Sequence, residues 1–342
     1  MDKRVGGRWG RVGYRRGVPS ETLVILNPAS AAGVTGRRRR EILHKVESVL
    51  GEVDLESTSA PGHATRLARE AAERGVARIL VAGGDGTTSE IVCGILEAET
   101  PPGESPTLGL LPLGSGWDLA RSLDLPRHFD AALDLIARGG RRRIDAGRVK
   151  YRDAVGRPCS RFFVNEASAG LSGATVQIVG RLSKRFGPRL GFVGGTVVAI
   201  LSHRPVDVAV EIDGERLYEG PISMVVAANG GYFGAGMRVA PNAAIDDGKL
   251  EIALVRGLSV FRLLANLPLF YLGRHGRHPS VSFHAAQTLQ ILPKEGSAPI
   301  DVDGEAVGFL PLRAEVLPGA IEVFAPGDGS APSRGSSAGG KN

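Results

Sequence analysis

Short apolar runs that alternate with amphipathic stretches are the feature that most constrains this chain. From Thr22 onward, four apolar runs read LVIL, VDLEST, RILVAG and LGLLP, and a segment with helical periodicity follows each of them. Strands that alternate with helices imply right-handed parallel crossovers, which build a sheet covered by helices on both faces. We therefore predict an α/β class N-terminal domain with a doubly wound sheet.

The pattern changes after Arg141 to extended runs separated by turn residues. RFFVNEA, VDVAVEI, ISMVVAANG, LEIALV and TLQILP are such runs, with IDGE and DDGK among the turns. This pattern predicts an antiparallel β-sandwich, interrupted by helices near 176–203 and 260–273. We divide the chain into a basic arm (1–20), an α/β domain (21–140), a β-sandwich domain (141–325) and a disordered tail (326–342).

Composition excludes several classes of protein. With 342 residues, 42% hydrophobic and 23% charged, the chain suits two soluble globular domains. Its longest apolar run, Leu190 to Leu201, is far shorter than the roughly 20 residues that cross a bilayer. No apolar segment typical of a secretory signal follows the basic N-terminus, so we expect a cytoplasmic protein. Cys93 and Cys159 alone provide neither a disulfide framework nor a zinc ribbon.

Basic residues are clustered, and the formal net charge is +6. Residues 1–20, Arg37 to Arg40 and Arg141 to Arg143 carry the clusters. They suggest a phosphate-bearing partner, although solvated surface arginines explain them equally well. Aromatic residues are only 5% of the chain, too few for a surface that stacks bases, so we expect no nucleic acid.

Two loops that follow predicted strands have the composition of phosphate-binding loops. NPASAAGVTG (Asn27 to Gly36) places small residues before a helix whose amides can hold phosphate. In GGDGTTSE, the glycines allow close backbone approach, and Thr87 and Glu90 match a helix capping box. Asp85 stands between glycines with no evident structural role, so we predict that it lies near phosphates or their Mg²⁺.

Acidic residues mark two further loops. LPLGSGWDLAR places Asp118 in the first turn of a helix, either as a complement to the helix dipole or beside Asp85 in a cation site. In IDVDGEAVG, Asp301, Asp303 and Glu305 would share one face of an extended strand, unless the DG pair turns a hairpin. No P-loop sequence occurs.

Five motifs in this order resemble the diacylglycerol kinase catalytic family, which includes bacterial soluble lipid kinases and the sphingosine and ceramide kinases. They are GGDGTTSE, LPLGSGWDLAR, RRIDAGRV, PNAAIDDGKLEI and VDGEAVG, and the resemblance runs from about Thr22 to Val323. Three positions depart from the family pattern: Ser115 replaces Thr, Trp117 replaces Asn, and Ala31 replaces Gly. Trp117 is then either a helix residue packed on the lipid-side wall or a residue that contacts substrate.

The resemblance implies a nucleotide-binding domain (21–140) and a lipid-substrate domain (141–325) whose last segment packs back on the first domain. It implies that Asp303 is the general base on the lipid hydroxyl, and that Asp85, Asp118, Asp145 and Glu305 form an acidic, water-linked network around a catalytic Mg²⁺. Asp246 and Asp247, with the Leu250 carbonyl, resemble a second, structural Mg²⁺ site. The residues that would hold ATP are Asn27, Thr58, Gly83, Gly84, Gly86, Thr87, Gly114 and Ser115.

The resemblance also implies an activity: transfer of the γ-phosphate of ATP to diacylglycerol, a sphingoid base or another long-chain alcohol. Val260 to Gly273 and Leu190 to Leu201 are candidate apolar walls for that lipid. Peripheral association with an anionic membrane at its inner face is expected, and a homodimer is allowed. Two alternatives stay open. One is an NAD kinase, which shares GGDGT and would use Asn165 and Glu166; the other is a weakened lipid- or nucleotide-binding regulator.

Overall fold

A computed structural model describes residues 21–326 except 102, 115, 187 and 235, without the side chains of 183–190 and 193. The predicted basic arm (1–20), Ser115 and residues 327–342 of the predicted tail therefore lie outside the described residues.

The first domain is an α/β unit, as predicted. Its elements are β1 (Thr22–Leu26), a 3-10 turn (Ser30–Gly33), α1 (Val34–Arg37), α2 (Arg39–Leu50), β2 (Asp54–Ser57), α3 (His63–Glu73), β3 (Arg78–Gly83), α4 (Asp85–Glu97), β4 (Thr107–Pro112), α5 (Asp118–Ser122) and α6 (Phe129–Arg138). The four strands are parallel in the order β2-β1-β3-β4. The carboxyl ends of β3 and β4 therefore lie side by side.

Helices cover both faces of this sheet. Leu23 and Ile25 pack in one buried cluster with residues of α3 and α4, whereas Val24 and Leu26 pack in another with residues of α2 and α6. Alternate side chains of β1 thus point to opposite cores, which explains why its sequence is apolar from Leu23 to Leu26.

The second domain is rich in β-structure. Its elements are β5 (Arg141–Arg152), β6 (Pro158–Phe163), β7 (Glu166–Gly170), α7 (Leu171–Phe186), α8 (Pro188–Ser202), β8 (Val206–Ile212), β9 (Glu215–Ala228), β10 (Leu250–Arg256), α9 (Val260–Tyr271), a 3-10 turn (His275–Arg277), β11 (Val281–Ala286), β12 (Thr288–Pro293), β13 (Pro299–Val302) and β14 (Glu305–Phe324). The helix predicted near 176–203 is two helices, because Pro188 fits the first turn of a helix but not its interior. Within the described ranges, no helix has the length and apolarity needed to cross a bilayer.

Pairing between the strands closes a ring in the order β9-β7-β13-β14-β12-β8 and back to β9. All six pairings are antiparallel, and the ring encloses a buried core that includes Ala167, Val225 and Ile300. The walls of the predicted sandwich are therefore joined at their edges. The far end of β14 runs parallel beside β4, with Val323 opposite Leu108, so one continuous sheet spans both domains.

Candidate functional site

The loops that follow β3 and β4 touch through their glycines. A Cβ atom at Gly114 would lie 2.5 Å from the Cα of Gly84, and one at Gly116 would lie 1.9 Å from the carboxylate of Asp85. A Cβ at Gly83 would lie 2.6 Å from the hydroxyl of Thr87. No larger residue fits at these positions without displacing its neighbour, so the glycines let the two loops pack together.

Asp85 ties these loops to each other. Its carboxylate accepts hydrogen bonds from the backbone N–H of Trp117 at 2.9 Å and of Asp118 at 3.0 Å. Burial raises the pKa of Asp85, and these two hydrogen bonds oppose the rise. The expectation that Asp85 has no structural role was therefore wrong, because its carboxylate satisfies backbone donors at the start of α5.

The predicted capping box of Thr87 and Glu90 was also wrong. Helix α4 begins at Asp85, so Thr87 lies within its first turn, where its hydroxyl accepts a hydrogen bond from the Asn27 amide at 2.9 Å. The Glu90 carboxylate instead accepts from the backbone N–H of Gly62 at 2.9 Å and of Ala64 at 3.0 Å. Glu90 thus satisfies the start of the neighbouring helix α3 rather than that of its own helix.

A cleft of about 530 Å³, here the polar cleft, opens beside these loops. Its lining includes Asn27, Thr58, Gly84, Gly86, Thr87 and Gly114, together with Glu305 from the second domain. The structure thus gathers six of the residues predicted to hold ATP on one surface. Gly83 does not line this cleft, because it lies beneath the Thr87 side chain.

The acidic segment near the end of the chain is a hairpin rather than one extended strand. Asp303 and Gly304 connect β13 to β14, with φ angles of 49° and 84°. Positive φ at both residues is typical of the type I′ turn, so the DG pair turns a hairpin, which was the second arrangement considered for this segment. The Asp303 carboxylate accepts hydrogen bonds from the backbone N–H of Val164 (2.9 Å), Asn165 (2.9 Å) and Glu166 (3.0 Å). These contacts divide the predicted strand RFFVNEA into β6 and β7.

The Asp303 carboxylate has lone pairs that its backbone hydrogen bonds do not use, so it can accept a proton. Burial raises its pKa, while the three backbone hydrogen bonds lower it. Two of those bonds end on Oδ1 and one on Oδ2, whereas a carboxylate offers about four lone pairs. The charge of Asp303 also contributes to the raised pKa of Asp85, which shows that the two carboxyl groups interact.

The other three acids of the predicted network do not all lie at the polar cleft. Asp118 is buried at the start of α5, with its carboxylate 3.5 Å from the guanidinium of Arg121. Glu305 lines the polar cleft and pairs with Arg161 at 2.5 Å. Asp145 does not line the cleft.

The Asp145 carboxylate serves a different part of the second domain. Its two oxygens accept the backbone N–H groups of Gly248 and Gly319, each at 2.7 Å. Asp145 therefore holds the DDGK loop and the β14 segment, and its place in an acidic network around a catalytic Mg²⁺ stays a prediction.

The two acids of the predicted structural Mg²⁺ site make hydrogen bonds within the protein, and the site itself stays a prediction. The Asp246 carboxylate accepts a hydrogen bond from Arg142 Nε at 2.7 Å, and that of Asp247 accepts the Lys249 N–H at 3.0 Å. Asp247 and Leu250 line a separate cavity of about 160 Å³ that Asp246 does not line. Throughout the described residues, no group of three or more His, Cys, Asp or Glu side chains is placed to hold a metal ion.

A second cavity, here the apolar cavity, lies in the second domain. Both predicted walls line it: Leu263 and Leu267 from α9, and Phe192 and Ile200 from α8. Residues from α7, β9 and β10 also line it, as do Phe233 and Met237 between those two strands, and the sequence did not single these residues out. At one side the cavity reaches Asp301, whose side chain is therefore on the surface of an otherwise apolar space.

Trp117 does not pack on the wall of the apolar cavity, which was one of the two places considered for it, and contact with substrate stays a prediction. It precedes α5 in the left-handed region, with φ 64°, and its indole N–H donates to the Gly114 carbonyl at 3.0 Å. It lines a pocket with Arg121, Arg127 and Tyr232 rather than the apolar cavity. Asn tolerates left-handed backbone better than Trp does, so the departure from the family pattern carries conformational strain.

Two buried acids were missed as site residues. Glu166, considered above only as part of an Asn-Glu pair, is 0% exposed, and Asp301 is 3% exposed. Burial raises the pKa of Asp301 to about 7 and also raises that of Glu166, whose pKa the nearby Asp301 raises further. The sequence signal that could have identified them is an acidic residue within a short strand of otherwise small or apolar residues, as in NEASAG and IDVDG.

Comparisons with known proteins agree with this architecture. Residues 21–149 match the model of the diacylglycerol kinase catalytic domain, and residues 165–325 match that of the YegS C-terminal NAD kinase beta sandwich-like domain. The diacylglycerol kinase of Staphylococcus carnosus is 30% identical over 306 residues, covering 89% of this chain and 95% of that protein. That of Bacillus subtilis is 28% identical over 290 residues, covering 84% and 90%.

Solved structures show the same fold. A diacylglycerol kinase of Bacillus anthracis superposes with a TM-score of 0.65 at 22% identity, covering 89% of this chain and 96% of that one. Yeast NADH kinase in complex with NADH superposes with a TM-score of 0.52 at 11% identity, covering 89% and 82%. The match to the catalytic-domain model and the relative from Staphylococcus carnosus establish that the chain is a kinase, a phosphotransferase that belongs to the diacylglycerol kinase family.

Proposed function

We propose that the protein transfers the γ-phosphoryl group of ATP to the hydroxyl of a lipid. One observation supports the proposal most strongly: the hairpin from β13 to β14 contributes a lining residue to each of the two cavities. Glu305 on this hairpin lines the polar cleft, Asp301 lines the apolar cavity, and Asp303 lies between them at the turn. A nucleotide in the cleft and a lipid in the cavity would thus meet at Asp303.

The polar cleft suits the nucleotide. Its volume of about 530 Å³ falls within the 300–1,000 Å³ typical of ligand sites. The loop glycines bring backbone against the cleft wall, so backbone N–H groups can approach phosphate oxygens closely. Thr58 and Asn27 add polar side chains on the same wall.

The apolar cavity suits the first part of a lipid chain. Its volume is about 90 Å³, which accommodates only the methylene groups next to the head group. Leu201 on α8 is 59% exposed, and Phe261 on α9 is 79% exposed. The two helices that line the cavity therefore also present apolar surface toward the exterior, where the rest of the chain would lie.

In the proposed reaction, the lipid hydroxyl oxygen forms a bond to the γ-phosphorus while the bond from that phosphorus to the β–γ bridging oxygen breaks. The hydroxyl proton passes to Oδ2 of Asp303, and ADP leaves. The backbone N–H groups of Val164, Asn165 and Glu166 hold the Asp303 carboxylate in one orientation throughout. Phosphoryl transfer of this kind depends mainly on positioning and on compensation of phosphate charge.

Magnesium would supply that charge compensation when bound with the nucleotide. Mg²⁺ is commonly held by one or two carboxylates together with substrate phosphates, so a cluster of three protein ligands is not required. Glu305 is the acidic residue of the predicted network that lines the polar cleft, and it fits that requirement.

An assay with γ-labelled ATP tests the proposal. The acceptors are a panel of long-chain alcohols in mixed micelles, with NAD in a parallel tube. We expect label in the organic phase that depends on Mg²⁺ and is abolished in Asp85→Ala, which also loses the bonds that join the two loops. Asp134→Ala, an exposed acid on α6, is the matched control and should keep wild-type activity. No label in any lipid would overturn the proposal.

An NAD kinase is the second candidate, because the yeast NADH kinase shares the fold and the Asn-Glu pair is present. Glu166 is fully buried beside Asp301 and does not line the polar cleft, so it is poorly placed to bind a second nucleotide. Label in NADP with none in lipid would favour this candidate. Label in neither acceptor would favour a binding regulator.

We also propose that the enzyme meets its lipid at an anionic membrane surface. The basic arm (1–20) would bring charge, at about 1 kcal/mol for each Lys or Arg near the surface. Deletion of residues 1–20 should weaken co-sedimentation with anionic vesicles, while binding to neutral vesicles should be poor for both proteins. Unchanged binding to anionic vesicles would show that the arm does not contribute.

A further inference from the structure

The wall of the apolar cavity includes one ionisable residue. Asp301 is 3% exposed and borders the cavity, where it is the only Asp, Glu, Lys, Arg or His among the described lining residues. Four hydroxyl residues also line the cavity, and the structure accounts for each of them. Thr175 and Thr196 donate to carbonyls of their own helices, Ser172 accepts from Ser168, and Ser223 accepts the Leu258 N–H.

A second carboxyl group lies behind the first. Asp301 is opposite Ser168 in the pairing of β13 with β7, and Glu166 is two residues before Ser168 on β7. Ala167 and Ala169 pack into the core enclosed by the ring, so Glu166 and Ser168 point to the opposite face of the sheet, where the cavity lies. The two acids therefore share one side of the sheet in a largely apolar layer.

Only one of the four carboxyl oxygens of this pair bonds to the backbone of the hairpin. One oxygen of Asp301 accepts the Gly304 N–H at 2.8 Å, a bond that stabilises the hairpin and that an asparagine would also make. Glu166 is fully buried, and its carboxyl group interacts with the carboxyl group of Asp301 and with the hydroxyl of Ser168. Two carboxyl groups in an apolar layer are costly to bury, so the pair calls for a function that offsets this cost.

We propose that Asp301, supported by Glu166, binds a hydrogen-bond donor of the lipid next to its reacting hydroxyl. The acceptor would then be a long-chain lipid with an N–H beside that hydroxyl: an amino alcohol or its N-acyl form. The inference rests on the proposed function, because it assumes that a lipid hydroxyl reaches Asp303.

The chemistry of the alternative acceptor favours this assignment. In a diacylglycerol, the two other glycerol oxygens are esterified, so the head group offers only acceptors near the reacting hydroxyl. Burial raises the pKa of both acids, so the pair holds a proton; with that proton between Glu166 and Asp301, the Asp301 oxygen that faces the cavity is an acceptor and cannot satisfy ester oxygens. Sites built to bond a donor discriminate strongly against an analogue that lacks it, because buried polar groups are then left unpaired.

A comparison of acceptors tests the inference. The kcat/KM of the wild-type enzyme is measured with a sphingoid base, an N-acyl amino alcohol and a 1,2-diacylglycerol of matched chain length in the same mixed micelles. We expect at least a tenfold preference for an N–H-bearing acceptor. In Asp301→Asn, the side-chain oxygen can stay on the Gly304 N–H while the NH₂ group faces the cavity. Because that NH₂ donates, we expect the preference to fall at least tenfold, toward the diacylglycerol.

Two further variants make the result unambiguous. Thr175→Val changes a cavity hydroxyl that is bonded within its own helix, so it should alter all acceptors by a similar factor and leave the preference unchanged. Glu166→Gln should reduce the preference in the same direction as Asp301→Asn, and it provides the test if Asp301→Asn does not fold. A wild-type preference for diacylglycerol, or a preference unaffected by both acid variants, would overturn the inference. Absence of label in every lipid would instead contradict the proposed function.

Discussion

The polar cleft and the apolar cavity are built by different means. The cleft depends on backbone: Gly84 and Gly114 lack side chains, so two loops touch and their amides border the space. The cavity depends on side chains contributed by α7, α8, α9, β9, β10 and β13. A short contiguous motif can encode the first arrangement, whereas the second requires residues that are scattered along the chain. The nucleotide side is therefore readable as motifs, whereas on the lipid side the sequence indicates two apolar helices and only tertiary packing shows the rest of the lining.

The hairpin that carries Asp303 joins these two regions, and its substitution should have the largest effect. Asp303→Asn removes the proposed proton acceptor, so we expect turnover to fall about 10²- to 10⁴-fold. The asparagine oxygen can still accept from Asn165 and Glu166, but the bond from Val164 is lost. Affinity for a fluorescent nucleotide should change little, because the residue does not line the polar cleft. Turnover within threefold of wild type would remove Asp303 from the mechanism.

The same contrast explains which features the sequence could predict. The α/β domain and the residues that line the cleft follow from local patterns, since each loop comes directly after a strand. The capping box failed because Glu90 finds its donors on a helix 26 to 28 residues away, which outcompetes a local cap. The roles of Glu166 and Asp301 were missed because a strand residue's environment depends on what covers that face. In this fold α7, α8 and α9 cover the face on which Glu166 and Asp301 lie, and the sequence pattern does not show which face those helices cover.

The glycine contact can be broken by a single methyl group. Gly114→Ala would place a Cβ 2.5 Å from the Cα of Gly84, and both atoms belong to backbone that cannot move independently. Overpacking of this kind costs about 1–3 kcal/mol, so we expect a lower melting temperature and weaker nucleotide binding. Gly86→Ala is the control, because its Cβ would meet no atom within 4 Å. Equal melting temperatures for the two variants would contradict the proposed packing of the loops.

The apolar cavity should reveal itself in the pH dependence of stability. The folded-state pKa of Asp301 is about 7, above its usual value of 3.8. Between these values the folded protein binds a proton that the unfolded chain has released, so the free energy of unfolding decreases as pH rises, by up to about 1.4 kcal/mol per unit. Asp301→Asn should reduce this decrease between pH 5 and 7, as measured by urea unfolding.

Two controls accompany that measurement. Asp134→Asn changes an exposed acid, so the pH dependence should match that of wild type. Some decrease should remain in Asp301→Asn, because the pKa of Glu166 is also raised by burial. Identical slopes for wild type and Asp301→Asn would mean that the cavity does not hold the Asp301 carboxyl in an apolar environment.

The smallest effect concerns a departure from the family pattern on the nucleotide side. Ala31 lines the polar cleft with φ 50°, in the left-handed region, where glycine has no steric cost and alanine does. Ala31→Gly relieves about 1–2 kcal/mol of strain, and the greater freedom of glycine in the unfolded chain removes roughly 0.5–1 kcal/mol of that gain. We therefore expect a rise in melting temperature of a few degrees at most. Ala29, in the same loop, has φ −83°, so Ala29→Gly has no strain to relieve and should destabilise the protein instead. Opposite signs for these two substitutions would show that the loop conformation is imposed by the backbone packing of the cleft, whereas equal destabilisation would mean that Ala31 does not hold a left-handed conformation in solution.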